Sequence, residues 1–126
     1  MNLVLLFALL QACAPIEVSS SQAGCTDFNY SDPADPVVEW AAAGDDAADV
    51  WRTNVLLDQA GATFSPTYEI EAGVLSVFEV WTDPASADTF CYQPEVHVSS
   101  ISGSLEVRWY TQDDRDVPYQ TVSVEP

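Results

Sequence analysis

Basic side chains are the scarcest feature of this sequence. Its 126 residues contain no lysine, one histidine and three arginines, Arg52, Arg108 and Arg115, against 20 aspartates and glutamates. The formal net charge of −17 repels nucleic acid and anionic lipid headgroups, because both are negatively charged. The partners left open are cations, basic peptides, other proteins and glycans. The simplest reading of the charge is solubility, including in salty surroundings where counterions screen self-repulsion.

Long apolar runs are also missing. The apolar stretch at residues 3–10 is far shorter than the roughly 20 residues that cross a bilayer. Its length is typical of the apolar region of an export signal peptide. The residues that end it, Leu10-Gln11-Ala12-Cys13, resemble the lipobox of bacterial lipoproteins, with an aliphatic residue, a small residue and then cysteine.

This resemblance implies a membrane anchor. Residues 1–12 would be removed as a signal peptide, and the thiol and new amine of Cys13 would be acylated, at roughly 0.8 kcal/mol of membrane affinity per buried CH₂. Ala14 stands where an aspartate would resemble an inner-membrane retention signal, so the expected location is the outer membrane, on its periplasmic or cell-surface face. The alternative is an ordinary signal peptide cut near Ala12 or Ala14, which would leave Cys13 unmodified.

Small polar residues dominate the segment after Cys13. Residues 13–24 have little periodicity, which predicts a flexible tether and leaves residues 25–126 as one folded domain. With Cys13 carrying lipid, Cys25 and Cys91 remain, and an oxidising compartment lets them form a disulfide bond. Closing that loop is expected to stabilise the fold by about 4 kcal/mol. Two cysteines and the lone His97 show no zinc-ligand spacing.

The sequence has few stretches with helical periodicity, and most of its apolar residues alternate as they do in strands. The segment at residues 36–43 fits either a short helix or an edge strand, and both remain open with a preference for the strand. From Val50 onward the alternation predicts strands: Trp51, Val55 and Leu57 on one side, with Arg52 and Asn54 opposite. A later strand places Leu105, Val107 and Trp109 inward.

Turn signals separate these strands. Ala72-Gly73 predicts a tight turn, Ser102-Gly103 a two-residue hairpin within a three-stranded meander, and Pro94 a bulge or an edge position. Cys91 is out of phase with the apolar residues around it, which predicts that it does not face the core. Seven or eight short strands in about 100 residues predict an all-β fold: an antiparallel two-sheet sandwich, Ig-like or jelly-roll-like, with one disulfide. A small barrel is the alternative.

Candidate binding residues are few. Asp27, Asn29, Ser31 and Asp35 partly follow the spacing of a calcium loop, and the simpler interpretation is a turn. Trp81, Tyr92 and Tyr110 are candidates for an exposed aromatic platform that stacks on sugars. His97 lacks a nucleophile motif around it, so we predict no catalytic residues.

These observations favour a membrane-anchored acidic β-sandwich lipoprotein with a binding or display role. The alternative is a carbohydrate- or calcium-binding accessory module, with calcium as its only expected cofactor. An enzyme is the third hypothesis, and it requires a concave pocket that joins His97 to a carboxylate. The expected contacts are the membrane, through lipid, and a protein, basic peptide or glycan.

Overall fold

The structure, a computed structural model, describes residues 15–58, 61–82 and 88–126, and strands joined by loops and turns make up these ranges, with no helix. The predicted signal peptide, residues 1–12, and Cys13 lie outside these ranges. No helix in the described ranges is long and apolar enough to cross a membrane. The strands are β1 Glu17–Gly24, β2 Val38–Ala42, β3 Ala48–Arg52, β4 Val55–Leu57, β5 Thr63–Phe64, β6 Thr67–Glu71, β7 Val74–Phe78, β8 Trp81–Thr82, β9 Phe90–Ser99, β10 Leu105–Tyr110 and β11 Gln120–Val124.

The first sheet is organised around the ten-residue strand β9. Its order is β1-β9-β3-β2, with β4 also paired to β9, and all pairs are antiparallel. The segment at residues 36–43, for which the sequence allowed a helix or a strand, therefore contains strand β2, and the preference for a strand is confirmed. β2 lies beside the second sheet, because the Gln120 side chain accepts from the Val38 N–H and donates to the Val38 carbonyl, both at 2.9 Å.

The second sheet has the order β11-β10-β7-β6, and a two-stranded sheet pairs β5 with β8. The predicted antiparallel sandwich is confirmed and the closed barrel is wrong. One pair departs from the antiparallel pattern, since β7 and β10 run parallel. The predicted hairpin at Ser102-Gly103 is wrong: β9 and β10 belong to different sheets, so this loop crosses between layers. The turn at Ala72-Gly73 is confirmed as the β6–β7 connection.

The hydrophobic core fills the space between the sheets. The inward residues of β10 alternate as predicted, with Leu105, Val107 and Trp109 at most 1% exposed. The first sheet contributes Val50, Val96 and Val98, and the small sheet contributes Phe64, whose ring stacks on Trp109 at a centroid distance of 6.2 Å. Burial on this scale gives roughly 1.5–3 kcal/mol for each large apolar side chain.

A β-bulge interrupts the strand that follows Val50. Trp51 pairs with Glu95 and Val55 with Tyr92, so β3 and β4 carry one residue more than the stretch of β9 opposite them. Asn54 absorbs the extra residue with a φ of 55°. The bulge shifts the alternation by one, and this makes the predicted facing of β3 wrong: Arg52 is buried and Trp51 is half-buried on the other side. The predicted bulge or edge at Pro94 is therefore wrong for β9 itself, which is paired on both sides: the extra residue lies opposite Pro94, between β3 and β4.

Strand β1 corrects the predicted tether. Glu17–Gly24 pairs with β9 along its whole length, from Glu17 opposite Ser99 to Gly24 opposite Tyr92. The Gln22 side chain fixes it further by donating to the Ala62 carbonyl at 2.8 Å and accepting from the Phe64 N–H at 2.6 Å. These residues are part of the folded body, which therefore begins before residue 25.

The predicted Cys25–Cys91 disulfide is confirmed, with the two Cα atoms 5.5 Å apart. It joins the end of β1 to the adjacent strand β9. Cys91 alternates with the core residues Tyr92 and Val96, as expected, but it is only 1% exposed. The segment after Cys25 covers it, and the Cys91 N–H donates to the Tyr30 hydroxyl at 3.2 Å.

Candidate ligand cavity

A cavity of about 470 Å³ lies where the bulge opens the first sheet. Arg52, Glu79 and Trp81 form its buried wall, and each is at most 8% exposed. The exposed carboxylates of Asp35 and Asp113 line its outer part. Pockets for small ligands commonly have volumes of about 300–1,000 Å³ and combine apolar walls with a few fixed polar groups.

The buried wall is built on an ion pair. Arg52 donates from Nε to Glu79 Oε1 at 2.6 Å and from Nη2 to Glu79 Oε2 at 3.0 Å. The indole N–H of Trp109 donates to Oε1 at 2.7 Å, and that of Trp81 lies 3.4 Å from Oε2. Both carboxylate oxygens of Glu79 are therefore held by two donors each. Such charge-assisted, two-point bonds fix the position of both side chains.

Local structure explains how these charges come to be buried. Arg52 ends β3 and faces inward on the same side as Val50, because the bulge follows it. Glu79 follows β7, where its N–H donates to the Tyr110 carbonyl at 3.0 Å. The Tyr119 ring lies 4.7 Å from the Arg52 guanidinium carbon and adds a cation–π contact. An aromatic cage around a neutralised pair offsets much of the cost of removing the charges from water.

A second, open groove of about 620 Å³ lies on the outer face of the second sheet. There Phe78 and Tyr110 stack at a centroid distance of 4.6 Å, with Arg115 5.8 Å from the Phe78 ring. Arg108 donates to Glu106 at 2.6 Å, and this contact raises the pKa of the exposed guanidinium above its usual value. A pair this exposed has little effect on stability.

The predicted aromatic platform is not formed. Trp81 and Tyr92 are 8% and 4% exposed and pack on each other at 5.1 Å. The Tyr92 hydroxyl accepts from the Ala62 N–H at 3.0 Å. Tyr110 lies on the outer face of the second sheet, stacked on Phe78. The three rings therefore offer no common flat surface to a sugar.

The candidate calcium residues form a turn. The Asn29 side chain accepts from the Ser31 N–H at 3.0 Å, and the Asn29 carbonyl accepts from the Asp32 N–H. Asp35 lines the cavity. No group of three or more His, Cys, Asp or Glu side chains suited to a metal ion occurs within the described ranges. These contacts match the simpler interpretation of the segment as a turn.

His97 is paired with a carboxylate, but on an open surface. Its Nδ1 lies 2.7 Å from Asp49 Oδ1, and both side chains are more than a third exposed. Ser19 is the cross-strand neighbour of His97 on β1. Neither cavity is lined by His97. The row Ser19, His97 and Asp49 thus has the residue types of a hydrolytic triad, but it lies on an exposed face of the first sheet and outside both of these cavities.

Sequence reasoning missed Arg52 and Glu79. One signal was present: Glu79 is the single charged residue within an apolar run that ends at Trp81, and Arg52 is one of only three arginines. A lone acid and a lone base in two core strands are candidates for a buried pair. The ion pair between Arg52 and Glu79 depends on the bulge, and the residue pattern does not reveal a bulge.

No protein family, no curated protein and no solved structure matches this chain.

Proposed function

We propose that this protein is an exported, lipid-anchored binding module that holds a ligand in the cavity beside Arg52 and catalyses no reaction. The observation that carries the proposal is the cavity itself. Its buried wall is a polar cluster fixed by four hydrogen bonds to Glu79. Fixed polar groups at an open cavity favour binding, because little conformational entropy is lost when a ligand arrives.

The arrangement of side chains supports binding over catalysis. The cavity lining includes no serine, cysteine, histidine or lysine from the described residues. The one buried carboxylate there, Glu79, already accepts four hydrogen bonds, so it is poorly placed to take a proton from a substrate. The His97–Asp49 pair lies outside the cavity.

Export and anchorage are supported by two separate features. The sequence Leu10-Gln11-Ala12-Cys13 resembles a lipobox, and the Cys25–Cys91 disulfide suits an oxidising compartment such as the periplasm or the cell surface. The anchor would place the module at the outer membrane.

The anchor is tested by the intact mass of the mature protein from a diderm host. We expect a chain that begins at Cys13, carries acyl groups and has two thiols fewer than its reduced form. The Cys13→Ser variant is the matched control and should leave the membrane fraction while its body remains folded. A mature chain without acyl groups that begins at Ala14 or later would contradict the anchor.

The binding role is tested separately by nuclear magnetic resonance of the ¹⁵N-labelled body with a library of small fragments. We expect fragments to shift the signals of Asn54, Gln112 and Arg52, which line the cavity. If every shift falls on other surfaces, the cavity is not a binding site and the proposal fails.

A further inference from the structure

The buried wall of the cavity has hydrogen-bond donors that the protein does not use. A guanidinium carries five N–H groups, and Glu79 accepts one from Nε and one from Nη2 of Arg52. No other described residue accepts a hydrogen bond from this side chain. Among the described residues, no buried side-chain nitrogen or oxygen lacks a partner. Because Nη1 has no acceptor among the described residues, it is not completely buried, and the side chain to which it belongs lines the cavity.

The outer part of the cavity offers mainly acceptors. The carboxylates of Asp35 and Asp113 are acceptors only, whereas the amide groups of Asn54 and Gln112 both donate and accept. Gln112 is already oriented, because its side-chain oxygen accepts from the Trp81 N–H at 2.8 Å. A ligand in this cavity thus meets donors on the buried side and acceptors on the exposed side.

This arrangement selects against charged ligands. An anion would satisfy Arg52, but it would meet Asp35, Asp113 and the field of a chain with net charge −17. An ammonium group would satisfy the two carboxylates, but it offers donors only and leaves the N–H groups of Arg52 without an acceptor. A hydroxyl group both donates and accepts, so several hydroxyls on one ring fit both sides.

We propose that the cavity binds a sugar unit of a neutral oligosaccharide, whose hydroxyls accept from Arg52 and donate to Asp35 and Asp113. This inference rests on the proposed binding function and specifies its ligand class. The volume of about 470 Å³ lies within the range of small-ligand sites. In this proposal the glycan is recognised by a polar cavity, instead of by the platform of exposed rings that the sequence predicted.

The test is a titration of the folded protein, followed by nuclear magnetic resonance and calorimetry, with three sets of probes. The first is a panel of neutral oligosaccharides: cellobiose, maltotriose, mannobiose and N,N′-diacetylchitobiose. The second is digalacturonate, an anion, and the third is spermine, a cation. We expect at least one neutral probe to shift the signals of the Arg52 Nε–H and the Asn54 amide, and both charged probes to leave them unchanged.

Two variants test the site. Asn54→Gly removes the amide and keeps the φ of 55°, which glycine adopts readily. Asp113→Ala removes an exposed carboxylate. Each should weaken binding about tenfold, the equivalent of one hydrogen bond to a polar ligand. Asp45→Ala is the matched control in the β2–β3 turn, at the other end of those strands, and should bind as the unchanged protein does.

Three results would overturn the inference. They are the absence of binding by every neutral probe, binding of digalacturonate or spermine in the cavity, and binding of a sugar that neither Asn54→Gly nor Asp113→Ala weakens. Binding of a charged probe in the cavity would overturn the proposal that the ligand is a sugar, but it would still support the proposed binding function. A cavity that responds to no probe and no fragment would overturn both proposals.

Discussion

At the scale of single residues, the ion pair of Arg52 and Glu79 differs from that of Arg108 and Glu106 in burial and in its number of hydrogen bonds, but not in its closest distance. Both pairs have a closest N–O distance of 2.6 Å. The first has side chains that are 9% and 2% exposed, and the second has side chains that are 44% and 41% exposed. Water screens the second pair, whereas the first is largely removed from water and depends mainly on its protein partners. Two arginine–glutamate pairs with equal closest distances therefore have different energetic roles in one protein.

We predict that Glu79→Gln lowers the free energy of unfolding by about 3–5 kcal/mol, because it leaves the buried Arg52 charge uncompensated. Glu106→Gln is the matched control and should leave the free energy of unfolding almost unchanged, because water already screens that pair. Urea unfolding at pH 7 measures both values. Equal losses for the two variants would show that burial does not govern the strength of the Arg52–Glu79 pair.

At the scale of elements, some strands were predictable and others were not. β10 has an uninterrupted alternation and a single buried face, so Leu105, Val107 and Trp109 were assigned correctly. The assignment of β3 failed because the bulge at Asn54 shifts the phase, and no residue type marks a bulge uniquely. The predicted exposure of Trp81 was wrong because the chain leaves the second sheet after Phe78. Trp81 belongs to the small sheet, so the alternation of β7 does not extend to it.

Strand β1 was missed because its sequence has no hydrophobic pattern. All but one of its eight residues are exposed, so apolar alternation could not reveal it. Backbone pairing with β9 and the side chain of Gln22 hold it in place. The crossing between β9 and β10 was missed because Ser102-Gly103 suits a hairpin locally, and only the packing of two sheets decides against it.

Gln22→Ala tests whether β1 belongs to the folded body. The variant loses a donor and an acceptor that bond to Ala62 and Phe64, and we expect a loss of about 1–3 kcal/mol in the free energy of unfolding. Ser21→Ala, on the exposed side of the same strand, should change stability by less than about 0.5 kcal/mol. If Gln22→Ala unfolds at the same urea concentration as the unchanged protein, β1 does not contribute to the fold.

The β6–β7 turn offers a stabilising substitution. Ala72 and Gly73 have φ values of 51° and 78°, so both central residues occupy the left-handed region, as in a type I′ hairpin turn. Alanine is disfavoured there and asparagine is favoured, and we predict that Ala72→Asn raises the free energy of unfolding by about 0.5–1 kcal/mol. Thermal unfolding measures the gain. Gly73→Ala, the opposite change, should destabilise, and a gain from it would refute this view of the turn.

At the scale of the whole molecule, charge opposes compactness. The formal net charge of −17 creates repulsion that ions screen, with a Debye length of about 30 Å at 0.01 M and about 10 Å at 0.1 M salt. The acidic composition was fully evident from the sequence. In the folded body, the hydrophobic core and the disulfide offset this repulsion.

We therefore predict that the melting temperature rises by several degrees between 0.01 and 0.2 M sodium chloride, with most of the gain below 0.1 M. This concentration dependence separates screening from salting-out, which continues to increase at molar salt. Sucrose of equal osmolality, which screens no charge, is the control. A melting temperature that is flat up to 0.2 M would mean that the acidic side chains are spaced too widely to repel one another.

The register of β1 on β9 also determines which end of the body would face a bilayer. If Cys13 carries lipid, four Cα steps lead to Glu17, a leash of at most roughly 14 Å. Glu17 pairs with Ser99 at the end of β9, whereas Leu57, which lines the cavity, pairs with Phe90 at its start, nine residues away. At about 3.4 Å per residue these two poles are roughly 30 Å apart. The body would then sit close to the lipid while its cavity stands at the outward pole, within reach of large molecules that never touch the membrane.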